Sequence, residues 1–500
     1  MNTNIKSRLS LTSIYFYLIL SIIGGALIPL SLAPFDVSIF SFIAPLIFLY
    51  LCFSNFNIKK KLLLGLTFGL SQHLVGSSWI YVSIHNFGNA NFILAGFLTF
   101  LFILTLSLYS ILKISIISKY FCNKNIINVI IVFPFIWVLI DLLQSYLFTG
   151  FPWGFLGYAH LHTYLSGYAP IITVYGLTYL TVLIAAIFYY IFNNLTLSKI
   201  RTYYSVKNIT LLLLVLLLFL TGDSLSKYNW TKPYDKPIKI ALIQGNIEQL
   251  MKWDENHFKH IIETYIELTK NVWNYDLIIW PENAITMPIP YSNILLNKLA
   301  EKTKEYNSNL ILGLPEESLI NKSIYYNIAI LLNKNTYFQP HTNENNAQIY
   351  QKKHLVPFGE YMPFSNYLRG IIDFFDLPMS DFSQGPNKQD LFKLNLNNKS
   401  TVQIAPFICF EIAYPFTVIE NSKKANIILT ISNDTWFGKS LGPYQHLQIA
   451  QMRALETGKP VIRATNNGIT AVIDHKGRII DKAPRFVEYT LKSEILPRKI

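Results

Sequence analysis

Hydrophobic residues are spaced in two ways along this chain, and the change falls near residue 222. Before it they form long, nearly unbroken runs near residues 11–30, 36–53, 62–84, 92–118, 127–148 and 164–193, with a shorter one near 208–222 that reads ITLLLLVLLLFLTG. A helix needs about 20 apolar residues to cross roughly 30 Å of hydrocarbon. Residues 1–222 are therefore expected to form an all-α, polytopic membrane domain of about seven spans. The first run is read as an anchor rather than a signal peptide, because it is long, lacks a small-residue cleavage motif and is followed at once by further spans. From residue 236 the apolar runs become short and β-rich: IKIALIQGNI, YDLIIWPEN, SNLILGLPE, YYNIAILLN, TVQIAPFICFEI, ANIILTISND, KPVIRATNNG and TAVIDHKGRII. Several are apolar on both faces, as strands covered on each side are. Between them Phe258, Ile261, Ile262, Tyr265 and Ile266 recur at helical spacing, and 294–306 and 442–458 also predict helices. Residues 223–500 are expected to be one α/β domain.

Charge refines this picture. Lys6 and Arg8 precede the first run, Lys59, Lys60 and Lys61 follow the second, Lys119 and Lys124 follow the fourth, and Lys199, Arg201 and Lys207 follow the sixth. The alternate loops APFD, HNFGNAN and GFPWGFLGYAHLHTY contain no Lys or Arg. Basic residues stay on the cytoplasmic side, so seven spans that start inside deliver everything after residue 222 to the outer face. The net charge of +13 partly reflects this bias and is poor evidence for nucleic-acid binding, which is not expected. Within the runs, His73, Lys113 and Asp141 raise the possibility of a transport path. Lys113 and Asp141 sit near segment ends and are expected to snorkel to the interface, and His73 to be a satisfied buried polar group.

The three cysteines, Cys52, Cys122 and Cys409, cannot make a disulfide framework, and the first two lie in or beside apolar runs as small hydrophobes. Cys409 is the odd one. It closes the run APFICFEIAYP, just as Glu282 closes DLIIWPEN after Pro281, and Lys352 lies in IYQKKHLVPFGEY. Strand ends are where such folds place their chemistry. Each residue has a bland alternative: a solvated Glu, a wetted Lys beside Lys353, a core Cys. Together they are a chemically complete set for acyl transfer. The thiolate is the nucleophile, a carboxylate can take and return the proton, and an ammonium favours the thiolate and faces the oxyanion of an attacked carbonyl.

WPEN with Glu282, YQKKHLVPFGE with Lys352 and ICFE with Cys409 resemble the three catalytic motifs of the nitrilase superfamily, in that order. With the preceding spans, and with QGNIEQLMKWDE, HLVPFGEYMPF, LPMSDFSQGP and LTISNDTWFGKSLGPYQHLQIAQMRALETGKPVIRATNNGIT, nearly the whole chain resembles the bacterial apolipoprotein N-acyltransferase family. The resemblance implies an αββα sandwich for 223–500. It also implies a phospholipid acyl donor, a thioester on Cys409, and transfer to the α-amino group of the N-terminal diacylglyceryl-cysteine of an apolipoprotein. Glu282 would be the base and Lys352 the oxyanion partner. Trp253, Asn327, Glu360 and Glu411 match positions of support or substrate contact, although Glu360 and Glu411 could only satisfy buried hydrogen bonds and Trp253 could only pack. The implied location is the bacterial inner membrane, with the catalytic domain on the periplasmic side. No cofactor or metal site is expected, since His257, His260, His341, His354, His446 and His475 are scattered, with His354 orienting its loop, and no Gly-rich phosphate loop occurs.

Residues 358–382, rich in Phe, Tyr, Ile, Leu and Met and including Phe374 and Phe375, are too apolar for an ordinary exposed loop. They are expected to form a movable arm against the outer leaflet, with an insertion folded into the core as the alternative. Two features depart from the family pattern. Phe410 stands where a Tyr is often found, and no apolar run follows the catalytic domain before LKSEILPRKI, which implies either a longer natural chain or anchoring from the N-terminal side alone. The rival readings are a membrane-tethered amidase of the nitrilase type, with water as acceptor, and a catalytically inactive lipoprotein-binding scaffold.

Overall fold

The computed structural model describes residues 2–88, 90–194, 206–318, 324–339, 344–362, 382–396 and 400–500. It divides into two compact units, one made of Met1–Tyr81 with Phe92–Tyr228, the other of Val82–Asn91 with Asn229–Ile500.

The first unit is helical, with α1 (Asn2–Leu30), α2 (Phe40–Cys52), α3 (Ile58–Ser77), α4 (Phe92–Tyr120), α5 (Phe133–Tyr146), α6 (Ala169–Asn194) and α7 (Val206–Lys227). Among the described residues, four helical stretches are long and apolar enough to cross a membrane: Phe92–Tyr120, Ile127–Thr149, Tyr164–Asn193 and Val206–Lys227. The first two expected spans appear as shorter apolar helices, Ile14–Leu30 and Phe40–Cys52. The third falls in α3, where Lys59, Lys60, Lys61, Gln72 and His73 dilute the apolar character. The apolar helices mark a membrane protein. Gly65 and Gly69, one turn apart on α3, let α4 approach closely: a Cβ on Gly69 would lie 2.7 Å from the Cα of Ser107. Lys113 and Asp141 do not snorkel. Their side chains are buried as an ion pair between α4 and α5, Nζ to Oδ1 2.6 Å, with Nζ 4.2 Å from the centroid of the Trp137 ring. Two charges that cannot reach water neutralise each other instead.

The second unit is a four-layer sandwich. Its large sheets are built from β1 (Ile238–Gln244), β2 (Leu277–Ile279), β3 (Leu310–Glu317), β4 (Tyr325–Leu332), β5 (Gln348–Gln351), β6 (Phe392–Asn395), β7 (Thr401–Ile408), β8 (Ile427–Ser432), β9 (Val461–Thr465), β10 (Ala471–Ile473), β11 (Ile479–Lys482) and β12 (Tyr489–Ile495). They form two six-stranded sheets, β12-β1-β2-β3-β4-β5 and β11-β10-β9-β8-β7-β6. Each has a parallel centre, β1-β2-β3 in one and β7-β8-β9 in the other. Alternate residues explain the doubly apolar strands. Ile240 and Leu242 enter the core between the sheets with Ile404, Leu429 and Ile462. Ala241 and Ile243 face the other way, toward Ile261 and Tyr265 of α8 (Phe258–Thr269) and Leu296 and Leu299 of α9 (Ile289–Tyr306). Helices α10 (Pro415–Ser422) and α11 (Gly442–Thr457) pack on the second sheet.

Where the sequence pattern predicts one strand in TAVIDHKGRII, the chain makes the hairpin β10-β11. Strands β5, β6 and β12 are additional to the predicted set. They are edge strands, half polar, and their pairing partners rather than their own periodicity define them. The segment Val82–Asn91 belongs to this unit: Ser83 Oγ donates to the Trp436 carbonyl at 2.8 Å, and the Phe87 ring meets the Trp436 ring edge-on.

Candidate active site

Strand β2 runs out at Trp280-Pro281, and the next residue, Glu282, turns into the gap between the sheets. The turn is tight. Asn283 has φ +48°, and Gly313 of β3 sits so close that a Cβ there would lie 2.7 Å from the Glu282 Cα. The buried carboxylate is fully engaged: Oε2 accepts from the Asn433 N–H at 2.8 Å, and Oε1 accepts from Asn327 Nδ2 at 2.8 Å and Lys352 Nζ at 3.1 Å.

Lys352 follows β5, and its N–H donates to the Asn327 carbonyl at 2.8 Å, which ties the strand exit to β4. Its ammonium is buried between Glu282 and Glu360, 2.7 Å from Glu360 Oε1. Asn327 Nδ2 also donates to Glu360 Oε1 at 2.9 Å, and Glu360 Oε2 accepts from the Val356 N–H at 2.9 Å. Burial alone would lower the lysine's pKa, but the charges of Glu282 and then Glu360 outweigh it and hold Lys352 above its ordinary range. It is an ammonium at any physiological pH.

Cys409 directly follows β7 with φ +55°, a left-handed conformation unusual for a residue with a side chain. It is half-buried and packs against the inter-sheet core. Burial, followed by the Glu282 charge, pushes its thiol well above the usual range, and Lys352 pulls the other way without prevailing. The raised value favours the neutral thiol, and after burial the carboxylate that contributes most to it is Glu282. Glu411 clamps the assembly. Its carboxyl accepts from the Ile408 N–H at 2.7 Å, the Lys353 N–H at 2.6 Å, the His354 N–H at 3.1 Å and the Tyr350 hydroxyl at 3.1 Å, so one side chain joins the loop of Lys352 to the turn of Cys409. Burial pushes Glu411 up to about 7 against the pull of those donors.

A sequence profile described as the apolipoprotein N-acyltransferase N-terminal domain matches residues 24–187, and one described as carbon-nitrogen hydrolase matches residues 239–499. An apolipoprotein N-acyltransferase of Coxiella burnetii is 34% identical over 484 residues, covering 96% of this chain and 94% of the relative. One of Pseudomonas syringae pv. tomato is 37% identical over 484 residues, covering 96% and 90%. The chain belongs to the apolipoprotein N-acyltransferase family. Among solved structures, Saccharomyces cerevisiae Nit3, a member of branch 10 of the nitrilase superfamily, aligns with 53% of this chain and 92% of its own at 17% identity and a TM-score of 0.38.

In this family member the structure brings Glu282, Lys352, Asn327, Glu360, Glu411 and Cys409 together. Trp253 stands in a neighbouring cluster with Leu355, Phe382, Tyr325, Tyr361 and Trp436, and among the described residues its indole N–H has no hydrogen-bond partner. Of the apolar arm, residues 363–381, including Phe374 and Phe375, lie outside the described residues. Flanking them, Met362 and Phe382 are buried and Phe358 is exposed. His354 stacks on Tyr414 with ring centroids 4.2 Å apart.

Sequence reasoning missed several residues of the site. Lys252 is buried and donates from Nζ to the Glu282 carbonyl at 2.9 Å. Burial lowers it to about 8, against the pull of Glu282 and Cys409. Nothing in QLMKWDE marks this lysine as buried. Asn433 and Asp434 close ANIILTISND, and the strand-end rule that selected Glu282 and Cys409 would have selected them too. His446 of α11 and Arg463 of β9, buried beside Asp434, carry no comparable signal.

Proposed function

We propose that this protein moves an acyl chain from a phospholipid to the α-amino group of a diacylglyceryl-cysteine at the N-terminus of apolipoproteins. The carrying observation is the convergence of a buried carboxylate, an ammonium held between two carboxylates and a thiol, with Glu282 following β2 and Cys409 following β7, one from each sheet. As the Cys409 sulfur attacks the ester carbonyl, Glu282 takes the thiol proton and the Lys352 ammonium faces the oxyanion. The C–O bond then breaks, Glu282 returns the proton to the departing lysophospholipid oxygen, and a thioester remains. In the second half the incoming amine gives a proton to Glu282 and attacks the thioester. The C–S bond breaks, the sulfur regains its proton, and an amide is released. The two carboxylates on Lys352 keep it charged and fixed through both halves, so little reorganisation accompanies charge development.

Family membership supports the lipoprotein amine rather than water as acceptor. The reading carries a domain plan, with residues 1–222 as the membrane domain and 223–500 as the catalytic domain, and a location in the bacterial inner membrane with the catalytic part facing the periplasm. The loop charges support that orientation.

Intact-protein mass spectrometry after incubation with phospholipid tests the mechanism. A single acyl adduct on Cys409, discharged by a diacylated lipopeptide with formation of its amide, is expected. An adduct that water discharges as fast as the lipopeptide would make the protein a hydrolase instead, and no adduct at all would end the thioester route.

A further inference from the structure

The left-handed backbone of Cys409 persists only because its surroundings fix it. On the N-terminal side, Glu411 holds the Ile408 N–H. On the C-terminal side, the Cys409 carbonyl lies 3.2 Å from Nε2 of His446, which reaches it from α11. A carbonyl oxygen only accepts, so Nε2 carries the proton.

The far side of the ring is equally constrained. Nδ1 is 3.1 Å from Arg463 Nη2 and 3.1 Å from Asp434 Oδ1, and Arg463 Nη2 lies 2.5 Å from Asp434 Oδ2. Ser432 Oγ donates to Asp434 Oδ1 at 2.7 Å. A Cβ on Gly468 would lie 2.4 Å from Asp434 Oδ2, so the network is closed by backbone as well. His446, Asp434 and Arg463 are all buried. In a neutral ring Nδ1 accepts from Arg463, and in a charged ring it donates to Asp434. In both, Nε2 remains the donor. Burial and then the Arg463 charge keep the ring below its ordinary pKa, so the neutral form prevails.

We propose that His446, locked by Arg463 and Asp434, is the positioning residue of the nucleophile: its Nε2–H pins the Cys409 carbonyl and so sets the direction of the thiol. Because a peptide is planar, pinning that oxygen also fixes the Cys409–Phe410 peptide plane and the direction of the Phe410 N–H. The residue acts through Cys409, without proton transfer to substrate. This inference rests on Cys409 being the acyl carrier, and it predicts a loss in the acylation step rather than in lipid binding.

The test compares the full-length parent with His446→Leu, which lacks a donor, and His446→Gln, whose amide N–H can reach the same carbonyl. Three quantities are read: the rate of thioester formation from phospholipid, the KM for phospholipid, and the rate of Cys409 alkylation by iodoacetamide, which needs no substrate. For His446→Leu the acylation rate is expected to fall about 10²-fold, the scale of a small misplacement of reacting groups, with KM within about twofold and an altered alkylation rate. His446→Gln is expected to recover acylation to within about tenfold of the parent. A folded His446→Leu acylating at the parental rate, or His446→Gln no better than a folded His446→Leu, overturns the proposal. If His446→Leu does not fold, His446→Gln decides alone: recovery within tenfold supports the role, and a folded variant slowed more than a hundredfold overturns it. A parent that alkylates at Cys409 yet never forms a thioester would refute the acyl-transfer reading, while the alkylation rates still report on His446.

Discussion

Lys352 Nζ lies 2.7 Å from Glu360 Oε1, with both side chains buried, so this lysine is balanced by a second carboxylate besides Glu282. Without Glu360 the ammonium would lean wholly on Glu282 and weaken it as a proton acceptor. Glu360→Gln is expected to fold and to slow thioester formation about 10²-fold, as read by mass spectrometry of the acyl adduct. Glu360→Ala, which also deletes the acceptor of the Val356 N–H, is expected to lose about 3–5 kcal/mol of stability, measured as a lower melting temperature in detergent. A Glu360→Gln protein acylating at the parental rate would remove Glu360 from the working site.

Glu282→Gln should move two observables in opposite directions. Glu282 raises the Cys409 thiol pKa, so losing its charge lowers that pKa and increases the thiolate fraction at pH 8. Alkylation by iodoacetamide should speed up while thioester formation falls about 10²–10⁴-fold for want of a base. In the parent, alkylation should still be climbing at pH 9, above the ordinary cysteine value of about 8.5. A plateau below pH 8 would contradict the raised thiol.

For Lys252 the sign of the pH effect follows from its depressed value of about 8. Between that value and about 10.4 the unfolded chain holds the proton that the folded chain has released, so stability rises with pH across this window. Below pH 8 the full cost of burying the charge is borne. Lys252→Met removes this dependence. The stability difference, variant minus parent, should therefore be more favourable to the variant at pH 7 than at pH 10, by about 3 kcal/mol. Melting temperatures at the two pH values measure it, and an equal difference at both would rule out a depressed lysine. Thioester formation should fall in the same variant, because the Glu282 carbonyl loses its donor.

Gly313 permits the position of Glu282. A Cβ there would meet the Asn283 nitrogen at 2.6 Å and the Glu282 Cα at 2.7 Å, both backbone atoms of a tight turn. Gly313→Ala should lower the acylation rate about 10²-fold by misplacing the base, leaving the KM for phospholipid within about twofold. A larger rise in KM than fall in rate would place the disturbance at lipid binding.

How much of this could be read from the letters depended on whether a residue's role is local. Glu282 and Cys409 announce themselves because each closes an apolar strand, and Asn327 and Glu360 through motif resemblance. Lys252, His446 and Arg463 do not: Lys252 in a polar stretch and His446 on a helix look solvated until tertiary packing buries them, and Arg463 is a charge inside an apolar strand whose partner, Asp434, only packing supplies. The same limit applies to the fold. The parallel central strands are visible as apolar runs, whereas β5, β6 and β12 are half-polar edges defined by their neighbours. In the first unit the Lys113–Asp141 pair was invisible for a related reason: two helices must pack before the charges meet.

Because Val82–Asn91 belongs to the sandwich unit, that unit is not contiguous in the gene. A fragment begun at residue 229 would omit Phe87 and Ser83 and strip Trp436 of its ring partner and of the hydroxyl on its carbonyl. Soluble expression of the C-terminal portion by itself would thus yield an incomplete piece, with an aromatic face laid bare beside Trp253, Tyr325 and Tyr361.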